Sequence, residues 1–190
     1  MTTPIPVLPA QAAARLGHYT VIDVRTPGEY ASGHVPGAHN IPLGDVRTAL
    51  PELRAAAARG EGLLMVCASG NRSAGACGEL AAAGVPAANL TGGTTAWAEQ
   101  GHPLDRPADA LRVWGMERQV RLAAGSLVLL GLAVGTRYRP ARVLSAAVGG
   151  GLVLSALTNT CGMAAVLAVL PHNRPRPADL AATRTALRRR

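Results

Sequence analysis

Residues 66–73 read V-C-A-S-G-N-R-S. A thiol stands at the end of an apolar run, and glycine, arginine and two serines follow within six positions. A cysteine acts as a nucleophile through its thiolate. Three features at this spacing favour that form. Successive backbone N–H groups in a tight loop make a nest for an anion. A helix starting behind the loop adds partial positive charge at its N-terminus. Arg72 adds a full one. Ser69 and Ser73 offer hydroxyl donors to a bound oxyanion, and Gly70 admits backbone geometry that other residues resist. The expected nucleophile is therefore Cys67, with Arg72 as its charged partner. Ala68, Ser69, Gly70, Asn71 and Ser73 form the loop that receives the substrate.

Such a loop works only if a strand delivers the cysteine and a helix leaves the arginine. Residues 62–67 (GLLMVC) are a near-continuous apolar run, as expected of a central parallel strand. Residues 71–84 have helical composition and end at Gly84. Upstream, residues 19–24 (YTVIDV) read as a buried strand. A Pro/Gly-marked loop follows, with a short strand near Ile41. Residues 45–59 read as a helix stopped by Gly60. Downstream, residues 89–91 read as a short strand and 94–100 as a helix ending before Gly101. Alternating β and α predicts an α/β fold, a parallel sheet with helices on both faces. Ligands of such sheets bind at the C-terminal ends of the strands, where Cys67 stands.

The second half is of a different kind. All 19 basic residues are arginine. Residues 1–107 carry a net charge of −1 and residues 108–190 one of +9. A nucleic-acid binder would carry its basic charge on the folded domain. Here the excess flanks the most apolar part of the chain, which points to a lipid bilayer and away from nucleic acid. Residues 122–136 and 143–171 are free of charge, separated by Arg137, Arg139 and Arg142. Spanning a bilayer takes about 20 helical residues. The second run suffices, and Gln119 and Val120 extend the first. The organisation predicted is a globular domain over 1–107, a linker over 108–118, a two-helix membrane hairpin over 119–171 and a basic polar tail over 172–190. Gly131 and Gly135 form GxxxG, with small-residue equivalents at Ser145/Gly149 and Gly151/Ser155. These suit either sealing of the hairpin or a homodimer through the membrane helices. Arginine in the flanks outweighs arginine in the loop, so both termini are expected in the cytoplasm. The opening residues TTPIPVLPAQ show no secretory signal, which agrees.

The loop C-A-S-G-N-R-S resembles the active-site loop of the rhodanese (sulfurtransferase) family, C-x-x-G-x-R followed by Ser or Thr. The resemblance runs over about residues 8–104. Asp23-Val24-Arg25, Glu29-Tyr30, the run from Gly33 to Ala38, Asn40-Ile41-Pro42, and Leu90-Thr91-Gly92-Gly93 with Trp97 resemble further motifs of that family in order. It implies an enzyme of the thiosulfate sulfurtransferase type. Cys67 would take a sulfane sulfur from a donor such as thiosulfate as a persulfide and pass it to cyanide or a thiol. No metal or organic cofactor is implied. Relatives of the Cdc25-type phosphatase use a Cys-x5-Arg loop, one residue longer than the Cys-x4-Arg found here. The alternative kept is a sulfur-sensing or sulfur-carrying regulatory module. Residues 158–164 (TNTCGMA) and 171–174 (PHNR) resemble elements of a small membrane domain fused to rhodanese in bacterial inner-membrane proteins. Asn159 and His172 depart from that pattern. The implied location is a bacterial inner membrane, multi-pass.

Other residues invite chemistry and are expected to be structural. Asp23 and Arg25 suggest a bracing pair, His34 a hydrogen-bonder within a turn, Trp97 a core residue, and Cys77 an inert thiol. Cys161 would lie near the face that carries Cys67. It is a candidate sulfur acceptor, against the plainer reading of a small helix-packing residue.

Overall fold

The computed structural model describes residues 4–106, 115–158, 162–170, 173–174 and 177–189. The chain divides into two compact units. One is Met1–Val113 with Arg174–Arg190, and the other is Trp114–Asn173.

The first unit is built on five parallel strands: β1 (Ile5–Val7), β2 (Tyr19–Asp23), β3 (His39–Asn40), β4 (Gly62–Val66) and β5 (Ala88–Leu90), in the spatial order β1-β5-β4-β2-β3. Around the sheet lie α1 (Pro9–Ala14), α2 (Pro27–Ala31), α3 (Leu50–Ala58), α4 (Asn71–Ala82) and α5 (Gly93–Glu99). Central β4 pairs with β2 from Tyr19↔Gly62 to Asp23↔Val66, and with β5 at Leu64↔Ala88 and Met65↔Asn89. Side chains alternate across a strand. Leu63, Met65 and Cys67 enter one core with Leu53, Ala56, Ala76, Cys77 and Leu80 of α3 and α4. Leu64 and Val66 enter the other, with Ala12 of α1 and Trp97 of α5. Burial on both faces is why GLLMVC reads as an unbroken apolar run rather than an alternating one.

Sequence and structure differ at several element boundaries. The helix expected from residue 45 starts at Leu50, with residues 43–45 as a 3-10 turn. Pro51 gives the reason: it has no N–H to donate one turn back, so it is accommodated in the first turn of a helix and not inside one. Strand β1 and helix α1 were not read from the sequence, and α2 lies within what read as loop. Its start is a capping box: Thr26 Oγ1 accepts from the Glu29 N–H at 3.4 Å, and Glu29 Oε2 accepts from the Thr26 N–H at 3.1 Å.

Residues 172–190 read as a basic polar tail, but α9 (Pro177–Arg189) is an amphipathic helix belonging to the first unit. Leu180 and Leu187, seven positions apart, fall on one helical face and pack into the α3/α4 core. Leu187 is 0% exposed. Arg184 and Arg188, one turn apart, both reach Glu52 of α3. Buried Glu52 takes Arg184 Nε at 3.1 Å and Arg188 NH2 at 2.5 Å, both on Oε1. Desolvation raises its pKa, but the hydrogen bonds from Arg184 and Arg188 outweigh this and hold the carboxyl below its ordinary range. Arg59 NH2 caps the helix end by donating to the Leu187 carbonyl at 3.0 Å.

In the second unit, α6 (Met116–Val134) packs antiparallel against α7 (Arg142–Thr158) and also meets α8 (Gly162–Ala168). The turn between α6 and α7 contains a 3-10 segment over Arg139–Ala141. A Cβ on Gly131 would overlap Ser145 Oγ, and one on Gly135 would lie 2.5 Å from Arg142 Cγ. Ser145 Oγ donates to the Val128 carbonyl at 2.9 Å. GxxxG therefore seals the hairpin within one chain, the first of the two uses its spacing allowed. Where α6 meets the end of the unit, the Gln119 and Asn173 amides bond reciprocally at 3.3 and 3.0 Å, and Asn173 also donates to the Leu167 carbonyl. Among the described residues, one helical stretch, Arg139–Thr158, is long and apolar enough to cross a membrane. It leaves Val153, Leu154 and Leu157 exposed. Within the second apolar run the described helical residues are α7, to Thr158, and α8, from Gly162. Cys161 lies between them, outside the described residues.

Candidate active site

Strand β4 ends at Val66 and delivers Cys67 to the base of a loop that turns into α4 at Asn71. Gly70 makes the turn at φ +94°. A Cβ there would lie 3.2 Å from the Gly92 nitrogen and 3.3 Å from the Leu90 carbonyl, so the left-handed backbone favours glycine and the tight approach adds to that preference. No side-chain hydrogen bond caps α4. Its first-turn N–H groups therefore face the loop without an internal partner, as anion binding requires.

Cys67 is buried, and its Sγ has two donors within hydrogen-bond distance: the Gly70 N–H at 3.1 Å and the Ser73 hydroxyl at 3.3 Å. Ser73 is 0% exposed and lies one turn into α4. Ala68 is half-buried, while Ser69 and Asn71 are exposed at the rim. Among the described residues, Ser69 is not a hydrogen-bond partner of Sγ. The structure thus brings Cys67, Gly70 and Ser73 together and leaves Ser69 and Asn71 where an incoming anion would pass.

Arg72 has a companion, Glu29 of α2, whose role is not visible from its place in the sequence. Its NH1 donates to Glu29 Oε2 at 2.9 Å and its NH2 to Glu29 Oε1 at 2.8 Å, a bidentate fork. Glu29 is 4% exposed and also accepts from the Thr26 hydroxyl. Burial works against the Arg72 charge, but the Glu29 hydrogen bonds, the Glu29 carboxylate and the nearby Cys67 sulfur raise its pKa. The fork uses two of five guanidinium N–H groups and leaves the others for an anion. Arg72 is therefore fixed in place before any substrate arrives. Thr26-x-x-Glu29 was a legible signal, since a capping box places a carboxylate at a helix start.

A second lock holds the loop from the β5–α5 turn. The Thr94 N–H donates to the Cys67 carbonyl at 2.8 Å and the Thr95 N–H to the Ala68 carbonyl at 3.0 Å. Gly93, at φ +60°, lies against these carbonyls so closely that a Cβ would overlap both. The remaining candidates are structural. Asp23 and Arg25 form a buried pair, with Arg25 NH2 to Oδ2 at 2.6 Å, and Arg25 also ties the Gly33 carbonyl. His34 stacks on Tyr30 at 3.7 Å, and its Nδ1 meets the Tyr30 carbonyl at 3.0 Å. Trp97 Nε1 donates to the Pro103 carbonyl. Cys77 is buried on the core face of α4, and its thiol is pushed up to about 12 by burial first and the Cys67 charge second. That makes it unreactive at neutral pH.

Residues 8–100 match the rhodanese-like domain, and residues 113–175 match the transmembrane domain described as inner membrane protein YgaP-like. An uncharacterized protein of Synechocystis sp. is 37% identical over 156 residues, covering 80% of this chain and 83% of that one. The chain belongs to the rhodanese family. Within this rhodanese, the loop supplies the donors at Cys67 Sγ, the capping box holds Arg72, and Gly93 lets the β5–α5 turn lie against the loop's carbonyls. A sulfurtransferase of Allochromatium vinosum is 34% identical over 88 residues, 46% of this rhodanese and 78% of that protein. The crystal structure of a rhodanese-related protein from Thermoplasma volcanium superposes with a TM-score of 0.50 at 31% identity, covering 54% of this chain and 99% of that one. The fusion of a rhodanese domain to an inner-membrane domain thus extends through most of the chain.

Proposed function

We propose that this rhodanese transfers sulfane sulfur at the inner membrane through a persulfide on Cys67. The observation that carries the reading is the pair of donors aimed at Sγ, the Gly70 N–H and the Ser73 hydroxyl. Donors already within hydrogen-bond reach of the sulfur stabilise a sulfur anion with little reorganisation. The Cys67 thiolate attacks the outer sulfur of thiosulfate, the S–S bond of thiosulfate breaks, and sulfite leaves with the bonding pair. The α4 N-terminus and Arg72 hold the sulfonate during this step. Cyanide or a thiolate then attacks the outer sulfur of the persulfide. The Cys67–sulfur bond breaks and the thiolate is restored. Small sulfur anions and thiols are thus the proposed partners, with Ala68, Ser69, Gly70, Asn71 and Ser73 lining their path.

Two crossings, by α6 and α7, with both termini in the cytoplasm, are the topology we favour. Chain connectivity supports this. Residues before the membrane domain and residues after it fold into one unit, which favours both ends of the membrane domain facing the same aqueous phase.

The test is the intact mass of the reduced full chain after incubation with thiosulfate, with Cys67→Ala beside it. A gain of one sulfur on the wild type alone, reversed by cyanide with formation of thiocyanate, is expected. A stable sulfur gain that no acceptor removes would favour a sulfur-sensing or sulfur-carrying module. No gain from any sulfane donor would refute the reading.

A further inference from the structure

Ser73 has one hydroxyl proton and three acceptors within reach: Asn89 Oδ1 at 2.6 Å, the Gly70 carbonyl at 3.1 Å and Cys67 Sγ at 3.3 Å. A hydroxyl can serve one of them well at a time. The nearest is Asn89, the middle residue of β5. Ala88 and Leu90 point into the α1/α5 core, so Asn89 must face the opposite side of the sheet, toward α4. Its Nδ2 donates to the Gly70 carbonyl at 3.2 Å. That neighbour is acceptor-only, so it fixes the amide: nitrogen toward Gly70, oxygen toward Ser73. Asn89 thus grips the loop at two points, the turn residue and the hydroxyl that reaches the sulfur. The reaction as described needs neither contact by name.

We infer that Asn89 is a positioning residue that sets the Ser73 hydroxyl for Cys67, holding its proton while the sulfur is neutral and releasing it when the sulfur becomes an anion. The inference rests on Cys67 being the reactive sulfur. A hydrogen bond to an ionised acceptor is roughly twice as strong as one between neutral groups. The amide oxygen is neutral, so a thiolate at Sγ outcompetes it and the hydroxyl rotates by a fraction of a turn. A carboxylate in the same place would not yield. It would keep the proton, lose the donor to Gly70 and set a second negative charge beside the sulfur.

The test needs no sulfur donor. The full chain in detergent micelles is alkylated with iodoacetamide across pH 5–10, and modification is read on the peptide containing Cys67. Asn89→Asp is expected to move the half-alkylation pH upward by about one unit. In a Ser73→Ala background, where the hydroxyl is gone, the same substitution is expected to move it by less than half as much. Asn89→Ala, which leaves the Ser73 proton to the sulfur, is expected to leave the half-alkylation pH at or below that of the wild type. Circular dichroism melts of all variants separate a lost fold from a lost contact. An equal shift with and without the Ser73 hydroxyl, or no shift in a folded Asn89→Asp protein, would overturn the inference. A rise in folded Asn89→Ala matching that of Asn89→Asp would do the same. If thiosulfate fails to load Cys67 while this coupling holds, the sulfurtransferase reading falls and the role of Asn89 stands.

Discussion

Leu187→Ala tests whether α9 is part of the rhodanese domain or a passenger beside it. Leu187 is 0% exposed and belongs to the same cluster as Val46, Ala49, Leu53 and Ala56. The substitution removes three buried carbons, worth about 2.4 kcal/mol at roughly 0.8 kcal/mol each. A rigid site would add a cavity term and bring the loss toward 5 kcal/mol. A terminal helix can settle into the gap, so the expected loss is about 2–3 kcal/mol. It should fall on the opening of α9, since Arg184 and Arg188 alone, both on one Glu52 oxygen and both partly exposed, contribute little. Two to three kcal/mol is about a 30- to 150-fold change in an opening equilibrium. Hydrogen–deuterium exchange of the full chain in micelles reads this directly. Peptides over residues 180–189 should exchange about 30- to 150-fold faster in Leu187→Ala, while peptides over β4 keep their protection. Amides of α9 that are already unprotected in the wild type, or that change by less than about threefold, would refute the docking of this helix.

Two further outcomes are expected. The Tyr30 phenol is pushed up to about 12, by burial first and then by Asp23 and Asp105, against an ordinary value of 10.0, and the Cys77 thiol is pushed from 9.0 to about 12. An unfolded chain releases these protons at a lower pH than the folded one. Folding stability should therefore fall as pH rises from about 9 toward 12, measured as the denaturant midpoint, and Tyr30→Phe should remove part of that slope. Gly93→Ala places a Cβ against the Cys67 and Ala68 carbonyls, so the loop must shift to accommodate it. A displacement of about 1 Å at a reacting atom costs on the order of a hundredfold in rate. Persulfide loading in single turnover should drop by about that factor with an unchanged circular dichroism spectrum, and near-wild-type loading would show that the two loops are not locked.

The parts of the site that were legible in the sequence are those that lie close together in it. Cys67, Gly70, Arg72 and Ser73 fall within seven residues, and the strand–loop–helix that holds them follows from one apolar run and one helical stretch. The Thr26/Glu29 capping box is equally local. Its pairing with Arg72 is not, because the two partners are 43 positions apart. The role of Asn89 is hidden for the same reason: in a three-residue strand a lone asparagine carries no pattern that points to Gly70 or Ser73. Strand β1 is hidden in the sequence because Pro4 and Pro6 argue against a strand, and only an edge position tolerates them.

Residues read in chain order were enough for the parallel sheet, for the succession of β2, β4, α4, β5 and α5, for Cys67 as the candidate nucleophile and for the division into a globular half and an apolar half. These rest on periodicity, composition and contiguous motifs, which are properties of neighbours in the chain. Tertiary structure alone decided what Arg72 pairs with, which loop locks the Cys67 carbonyls, and that the GxxxG glycines face Ser145 and Arg142 of the same chain. It also decided the fate of the last thirteen helical residues. An arginine-rich segment reads as solvated until a buried Glu52 on a distant helix supplies the countercharge, and a hydrophobic groove supplies the place for Leu187. Charge and spacing are written in one dimension, whereas their partners are chosen by the fold.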